Sequence, residues 1–359
     1  MRLGLAYNQR PTAISTRRDA ALSPQAPLTT DQFVEWDEPE TIAAVADALG
    51  VLGDVMPLEA IGDFPRRLAE ARVDLLFNMA EGVAGPSREA HVPAIAEFLG
   101  VPYTASDPLT LAIALHKGRT KELLRQRGVP TPPFLLLESF GDLSRLDGVA
   151  YPLFLKPAWE GSSKGISAAN RVESSRAAKA RAEHLLASYH QPVLAEAYLP
   201  GEEFTVAVLG NQDDARCLPL IRYRFETLPQ GALPIMGFEA KWVWDTPDAS
   251  LEVLECPADI APEPAERIQA VALAAYRAIG CRDWGRVDVR LDAEGVPNVL
   301  EINPLPGIIP DPAANSCFPR AAGAAGLSYA ELIQTVVRIA WRRIAGRELA
   351  VSTLAGVAG

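Results

Sequence analysis

The sequence predicts an α/β protein with more than one domain, and three observations carry that reading. Its 359 residues, at roughly 150 per domain, give two to three domains and a sizeable core. Short strands alternate with amphipathic helices from Arg2 to Asn78, the pattern of a mostly parallel sheet. An antiparallel hairpin over 285–303 adds α+β character further on. Hydrophobic residues make up 48% and charged residues 22%, which is ordinary for a packed domain.

The first region spans 1–110. Arg2–Tyr7 suits a buried strand, and a polar stretch over 8–30 reads as a long loop or lid. A helix starts near Asp37–Pro39, with Asp37 as its cap, and stops at Gly50. A strand (Val51–Met56), a helix (Arg66–Ala71) and a strand (Val73–Asn78) follow. The second region, 111–201, opens with one helix over Leu111–Gln126 and a turn at Gly128–Pro133. Strands at Phe134–Leu137 and Tyr151–Pro157, a helix over Ser174–Ser188 and a strand at Val193–Ala197 complete it. The third region, 202–345, holds strands at Phe204–Leu209 and Leu218–Arg224 and a Pro- and Gly-punctuated loop through Met236. A helix over Pro264–Ile279, the hairpin and a helix over Ser328–Ala345 follow, and 346–359 reads as a frayed, flexible tail. There is no internal repeat.

Lys and Arg number 34 against 45 Asp and Glu, a net charge of −11, with a pI near 5.0. Nucleic-acid binding needs a basic footprint and is not expected. ATP is still admissible, because local lysines and metal ions neutralise phosphates. Cys217, Cys256, Cys281 and Cys317 form no C-x-x-C pair and read as free thiols in a reducing compartment. The N-terminus looks like a strand, not a signal peptide. No stretch reaches the roughly 18 apolar residues of a membrane helix. A cytoplasmic protein is the expectation.

The hairpin is the sharpest chemical signal. Strand side chains alternate faces, so Arg286, Asp288 and Arg290 share one face of the first strand. Val299, Glu301 and Asn303 share one face of the second. Asp288, Glu301 and Asn303 can therefore converge. Two carboxylates and an amide oxygen form a hard site suited to Mg²⁺, with nucleotide phosphates completing the shell. A solvated hairpin face has the same composition, but the apolar surroundings and Pro304-Leu305-Pro306-Gly307 argue for a site.

The second signal is Lys156-Pro157 at a strand end, followed by Glu160-Gly161-Ser162-Ser163-Lys164-Gly165. Small residues let backbone N–H groups approach phosphate oxygens. The P-loop spacing is absent, and a Gly/Ser loop alone is more often a plain turn. Lys156 and an upstream lysine, Lys117, favour the phosphate reading. In the third signal, EAYLPGEE over 196–203, acidic residues could hold an adenine amino group and ribose hydroxyls. Alone it would pass for an acidic surface turn.

With those residues in view, the chain resembles an ATP-grasp ligase of the D-alanine–D-alanine ligase type. The matching runs are LHKGRTKELL, YPLFLKPAWEGSSKGIS, VLAEAYLPGEEFTVAVLG, GFEAKW, CRDWGRVDVRLDAEGVPNVLEINPLPG and AAGAAGLSYAELIQ. They run from about residue 74 to residue 342, in family order. The resemblance implies an ATP-grasp fold of three domains, the first a Rossmann-like pre-ATP-grasp domain. It implies that ATP meets Lys117, Lys156, the Glu160-Ser162-Ser163 loop, Glu196, Ala197, Leu199, Glu203 and Lys241. It implies two Mg²⁺ ions at Asp288, Glu301 and Asn303, with Mn²⁺ able to substitute. Arg286 and Gly307 match the groups that stabilise a tetrahedral intermediate, and Ser316 the serine that binds the second substrate's carboxylate. The implied reaction phosphorylates a carboxylate with ATP, and an amine attacks the acyl phosphate to leave an amide, ADP and phosphate. Small amino-acid-like substrates and a homodimer are implied as partners.

The chain departs from the family where the substrates bind. Tyr7-Asn8-Gln9-Arg10-Pro11 lacks the family's glutamate, and Asn78-Met79-Ala80-Glu81-Gly82-Val83-Ala84-Gly85 replaces the H-G-x-x-G-E-D-G loop. Glu81, Arg88 and Glu89 become candidate specificity residues, against an alternative in which they form a charged surface at a helix start. His116 reads as helix surface. Trp159, Trp242 and Trp244 either form an apolar lid over ATP or pack wide loops. A phosphotransferase and a non-catalytic nucleotide-binding regulator are the competing readings. Arg286 and the Pro306-Gly307 element oppose the first, since phosphate transfer alone needs no acyl oxyanion hole. The intact Asp288, Glu301 and Asn303 set opposes the second.

Overall fold

A computed structural model describes residues 1–11, 33–245 and 251–349. Most of the expected 8–30 loop (12–30) and of the expected tail (350–359) lies outside the described residues. In chain order the main elements begin with β1 (Arg2–Tyr7), α1 (Pro39–Gly50), β2 (Asp54–Glu59), α2 (Phe64–Ala71), β3 (Leu75–Asn78), α3 (His91–Leu99), α4 (Pro108–Leu115) and α5 (Lys117–Gln126). Next come β4 (Phe134–Leu137), β5 (Leu153–Pro157), β6 (Arg171–Val172), α6 (Ser175–Tyr189), β7 (Val193–Ala197), β8 (Glu203–Leu209), β9 (Arg216–Cys217), β10 (Ile221–Tyr223) and β11 (Leu254–Glu255). The chain then forms α7 (Pro262–Ala278), β12 (Trp284–Leu291), β13 (Pro297–Asn303), α8 (Cys317–Ala324) and α9 (Tyr329–Ala345).

Three sheets result. The first is parallel, in the order β2-β1-β3, as the strand–helix alternation requires. The second is antiparallel, β4-β7-β5-β6. The third is antiparallel, β11-β10-β8-β12-β13, with β9 on β8. One apolar core joins the first sheet to the third: Leu3, Leu5, Phe77 and Leu49 pack with Leu209, Trp284, Phe318 and Val336. The four-stranded sheet keeps a core of its own, around Leu137, Leu155, Leu185 and Val193. The fully buried Asp283 reinforces the shared body. It accepts from Ala105 N (2.9 Å), Asn211 Nδ2 (3.0 Å) and Arg343 Nε and Nη2 (2.9 and 2.8 Å).

Several expectations are corrected. The second strand begins at Asp54, because α1 runs to Gly50 and Leu52 N still donates to Leu49 O (2.8 Å). Asp37 does not cap α1; its backbone pairs with Asn8 and Arg10, and Pro39 opens the helix without a side-chain cap. The helix expected over Leu111–Gln126 is two helices broken at His116, whose ψ of 87° is not helical. His116 is half-buried, and its Nδ1 caps α5 by accepting from Arg119 N (3.4 Å). The break lets Lys117 N donate to Ala158 O (3.0 Å). Pro219 interrupts the strand expected over Leu218–Arg224, since proline offers the ladder no donor. α3, α8 and a π-turn at Ala240–Trp244 were not anticipated. All four cysteines are unpaired. Among the described residues no helix is long and apolar enough to cross a membrane.

Candidate active site

The β12–β13 hairpin brings Arg286 opposite Asn303 and Asp288 opposite Glu301. A bulge follows: Val289 pairs with Val299, leaving Leu300 as the extra residue. The bulge turns Val299 into the core, fully buried, and not onto the Glu301 face that simple alternation gives it. Arg286 donates from Nε and Nη2 to the two oxygens of Asp288 (2.9 and 2.8 Å). Thr205, directly across on β8, donates to Asp288 Oδ1 (2.5 Å), and Asn303 Nδ2 to Oδ2 (3.3 Å). Lys117 Nζ stands 3.3 Å from Glu301 Oε2. Burial pushes the Glu301 carboxyl up, but Lys117, Lys156 and Arg286 outweigh it and hold it well below the usual carboxylate range. Burial would also strip the Arg286 proton, and Asp288 more than offsets that. A divalent cation suits this donor set of two carboxylates and an amide. Among the described residues no three His, Cys, Asp or Glu side chains gather for a metal, so ligand oxygens would have to complete the shell.

Lys156 ends β5, and Glu196 stands on the neighbouring β7. Glu196 takes Lys156 Nζ at 2.7 Å and Lys121 Nζ, from α5, at 2.9 Å. All three are buried. Burial raises the Glu196 carboxyl, and the two lysines bring it below its ordinary value. Burial pushes Lys121 down to about 8 against the pull of Glu196. Both oxygens of Glu196 thus face lysines. Ala197 N donates to Pro133 O (2.8 Å), and Leu199 is buried. Glu203 is paired across strands with Arg290, which donates to it at 2.8 Å. Burial nevertheless keeps the Glu203 carboxyl above its ordinary value.

The loop after β5 holds two consecutive serines in the left-handed region, Ser162 (φ 48°) and Ser163 (φ 61°), a strained arrangement for residues with a Cβ. It is tied to the segment opposite it. Ser163 Oγ donates to Met236 O (2.7 Å), and Trp242 Nε1 to Ser162 O (3.0 Å). Lys164 bridges Glu35 (2.8 Å) and Glu160, whose carbonyl also accepts from Lys117. Lys241 lies in the π-turn with its ammonium over the Trp242 ring at 5.2 Å. Burial and Arg286 push Lys241 down.

Arg88 and Glu89 are buried, at 6% and 9% exposure, so the charged-surface alternative fails. Arg88 donates to Glu35 (3.0 and 3.2 Å) and to Trp159 O (2.9 Å). Gly82 sits at φ +80°, where a Cβ would lie 2.3 Å from Arg88 O. Only glycine fits that approach. Glu81 and Gly307 line one small cavity. Ser316 Oγ accepts from Ile309 N (3.1 Å) and donates to Gly307 O (3.3 Å), closing the loop between them.

The family model for the D-ala D-ala ligase C-terminus matches residues 123–338. D-alanine–D-alanine ligase of Bordetella avium is 38% identical over 242 residues, 67% of this chain and 70% of that one. The chain belongs to the D-alanine–D-alanine ligase family. An uncharacterized protein, y4sG, of Sinorhizobium fredii is 36% identical over 272 residues, 76% of each chain. The structure of D-alanine–D-alanine ligase from Bacillus anthracis complexed with ATP aligns over 96% of this chain and 99% of that one, with a TM-score of 0.66 at 22% identity. The fold is therefore ATP-grasp, and this family member is an ATP-dependent, ADP-forming C–N ligase.

The sequence reading of this ligase missed Glu35, Lys121 and Thr205. Thr205 had a signal, since it alternates on a recognisable strand. Lys121 looked like one of four basic residues along a helix, and its partner Glu196 lies on a different strand. Glu35 meets Lys164 across 129 residues of sequence, and no local pattern marks such a pair.

Proposed function

We propose that this ligase joins two small amino-acid-like substrates through an acyl phosphate, and that the pair is not two molecules of D-alanine. The observation that carries this is the shared face of β12 and β13, where Arg286, Asp288, Glu301 and Asn303 meet Lys117. Lys117, Lys156 and Lys241 supply positive charge for the phosphates of ATP, and the Ser162–Ser163 loop supplies backbone N–H groups. Glu196 positions the two lysines, and with the Ala197 N–H held by Pro133 O the Ala197 carbonyl and the Leu199 backbone are left to meet the adenine. Glu203 serves the ribose. Asp288, Glu301 and Asn303 would hold Mg²⁺, which screens phosphate charge. Arg286 stabilises the oxyanion formed when the amine attacks, and it must first release Asp288. Gly307 supports this role: its φ is not left-handed and a Cβ would touch nothing. The fold does not demand glycine there, whereas close approach of a substrate oxygen to its N–H does. Ser316 faces the second substrate, and the Trp242–Ser162 contact closes the site against water, which would hydrolyse the acyl phosphate. Glu81, Arg88 and Glu89 set substrate choice. The use of ATP fits action in the cytoplasm.

The test is ADP release with Mg-ATP against D- and L-amino acids, singly and in pairs, with mass spectrometry of the products. ADP formed only with a pair, together with a condensed product, is the expected result. ADP without condensation would favour phosphotransfer, and ATP binding without turnover a regulator. Robust activity with D-alanine alone would refute the altered specificity.

A further inference from the structure

Arg290 shares its face of β12 with Arg286 and Asp288, opposite Glu203 on β8, yet the proposed reaction gives it no part. Its side chain is 5% exposed. Nη1 donates both to Glu203 Oε2 (2.8 Å) and to Pro234 O (2.9 Å), and Nη2 donates to the Tyr198 hydroxyl (3.3 Å). The guanidinium lies 5.2 Å from the centre of the Tyr198 ring and 5.6 Å from that of Phe225. Among the described residues its Nε has no acceptor. Stability alone is a poor reason to bury a guanidinium with a donor left empty. The contacts that Arg290 does make join two parts of the nucleotide site.

One part is Glu203. Arg290 takes one of its oxygens, and among the described residues nothing donates to the other. The other part is the segment 234–242, which carries Lys241 and Trp242. That segment grips the serine loop repeatedly: Met236 O accepts from Ser163 Oγ (2.7 Å), Phe238 N donates to Ile166 O (2.9 Å) and Trp242 Nε1 donates to Ser162 O (3.0 Å). Only Ile235 separates Pro234 from Met236. The proline ring fixes φ there, so a hold on its carbonyl sets the direction in which the segment leaves.

We propose that Arg290 is a positioning residue that couples ribose recognition by Glu203 to closure of the 234–242 segment over the phosphates. This rests on the placement of ATP proposed above. A ribose hydroxyl donating to the free oxygen of Glu203 stabilises its charged form, and a charged carboxylate holds the guanidinium more strongly. Burial keeps the Glu203 carboxyl above its ordinary value against the pull of Arg290, which leaves room for that strengthening. The nitrogen that holds Glu203 also holds Pro234 O, so a guanidinium fixed on the acid fixes the root of the segment. Lysine does not replace it: a single ammonium lacks the planar fork that reaches an acid, a carbonyl and a phenol together.

The experiment is hydrogen–deuterium exchange over 235–242, alongside calorimetric binding of Mg-ATP, 2′-deoxy-ATP and 3′-deoxy-ATP, on the full chain without amino-acid substrates. In the parent, Mg-ATP should slow exchange across the segment. Loss of the hydroxyl that meets Glu203 should weaken binding about tenfold and slow exchange less. Arg290→Met should bind Mg-ATP about tenfold more weakly, lose most of the preference for ATP over the deoxynucleotides, and show no slowing at saturating ATP. Arg290→Lys, which keeps a charge beside Glu203, should bind ATP within severalfold of the parent and still show no slowing. That split separates a lost bridge from general loosening, and it carries the test where Arg290→Met does not fold. No slowing in the parent, or slowing in Arg290→Lys equal to the parent's, overturns the inference while leaving the ribose reading in place. A parent that binds both deoxynucleotides as tightly as ATP loses the ribose reading itself, and the inference with it.

Discussion

If Asp288 holds the metal ion, as proposed, Arg286 competes with that ion for the same carboxylate, and removing the arginine should show it. Asp288 spends both oxygens on Arg286, at 2.9 and 2.8 Å. A cation bound by Asp288 must break these two bonds, each between charged partners and together contributing about 1.5–3 kcal/mol. Arg286→Leu abolishes that competition. It also leaves Lys117 facing Asp288 and Glu301 with one negative charge in excess. Metal binding without nucleotide should therefore tighten by about 10- to 150-fold, while ligation fails for want of the oxyanion partner. The assay is Mn²⁺ titration of the nucleotide-free protein by calorimetry, with far-UV circular dichroism as the control for folding. The side chain is one-fifth exposed, so its truncation leaves little cavity. Unchanged or weaker Mn²⁺ affinity would refute the reasoning, because Arg286 would then not compete with the metal for Asp288.

Three further predictions follow from buried charge and backbone geometry. Glu196→Gln leaves Lys121 and Lys156, at 1% and 5% exposure, without their direct ion-pair partner; a loss of about 3–5 kcal/mol should lower the urea midpoint. Adding Lys121→Met should recover most of it, and a loss below about 1 kcal/mol would count against the buried triad. Gly82→Ala forces a Cβ into Arg88 O and should cost about 1–3 kcal/mol; an unchanged melting temperature would contradict it. Asp37 holds its proton to about pH 8 when folded, against an ordinary value of 3.8. Folding therefore takes up a proton between those values, and stability falls as pH rises through that window. Asp37→Asn should gain stability relative to the parent from pH 5 to 8 and level off above; parallel urea midpoints across that range would rule this out.

The sheet strands were largely legible because alternation is a local property. The β12–β13 reading needed only the period of two to bring Arg286, Asp288, Glu301 and Asn303 together. It failed at Val299, since one bulged residue reverses every face beyond it and nothing in the sequence marks Leu300. His116 broke a helix whose apolar spacing runs through it, because a tertiary bond to Ala158 outweighed local propensity. The acidic cavity was hidden for another reason. Glu35, Asp37, Glu81 and Gly307 come from three distant stretches, and only the packing of the first sheet on the third gathers them.

The unequal division of the apolar core decides which part of the molecule is the leaf and which the frame. Parting the first and third sheets would bare shared hydrocarbon, at about 25 cal/mol for every Å², and would tear Asp283 from its four donors. The four-stranded sheet with its serine loop meets the frame chiefly through polar contacts: Lys164 to Glu35, Ser163 to Met236, Trp242 to Ser162, Arg88 to Trp159. Water replaces such contacts at little net cost. The half that carries Lys156 can therefore swing aside to admit ATP and release ADP, while the frame that carries Arg286, Glu81 and Gly307 keeps its shape.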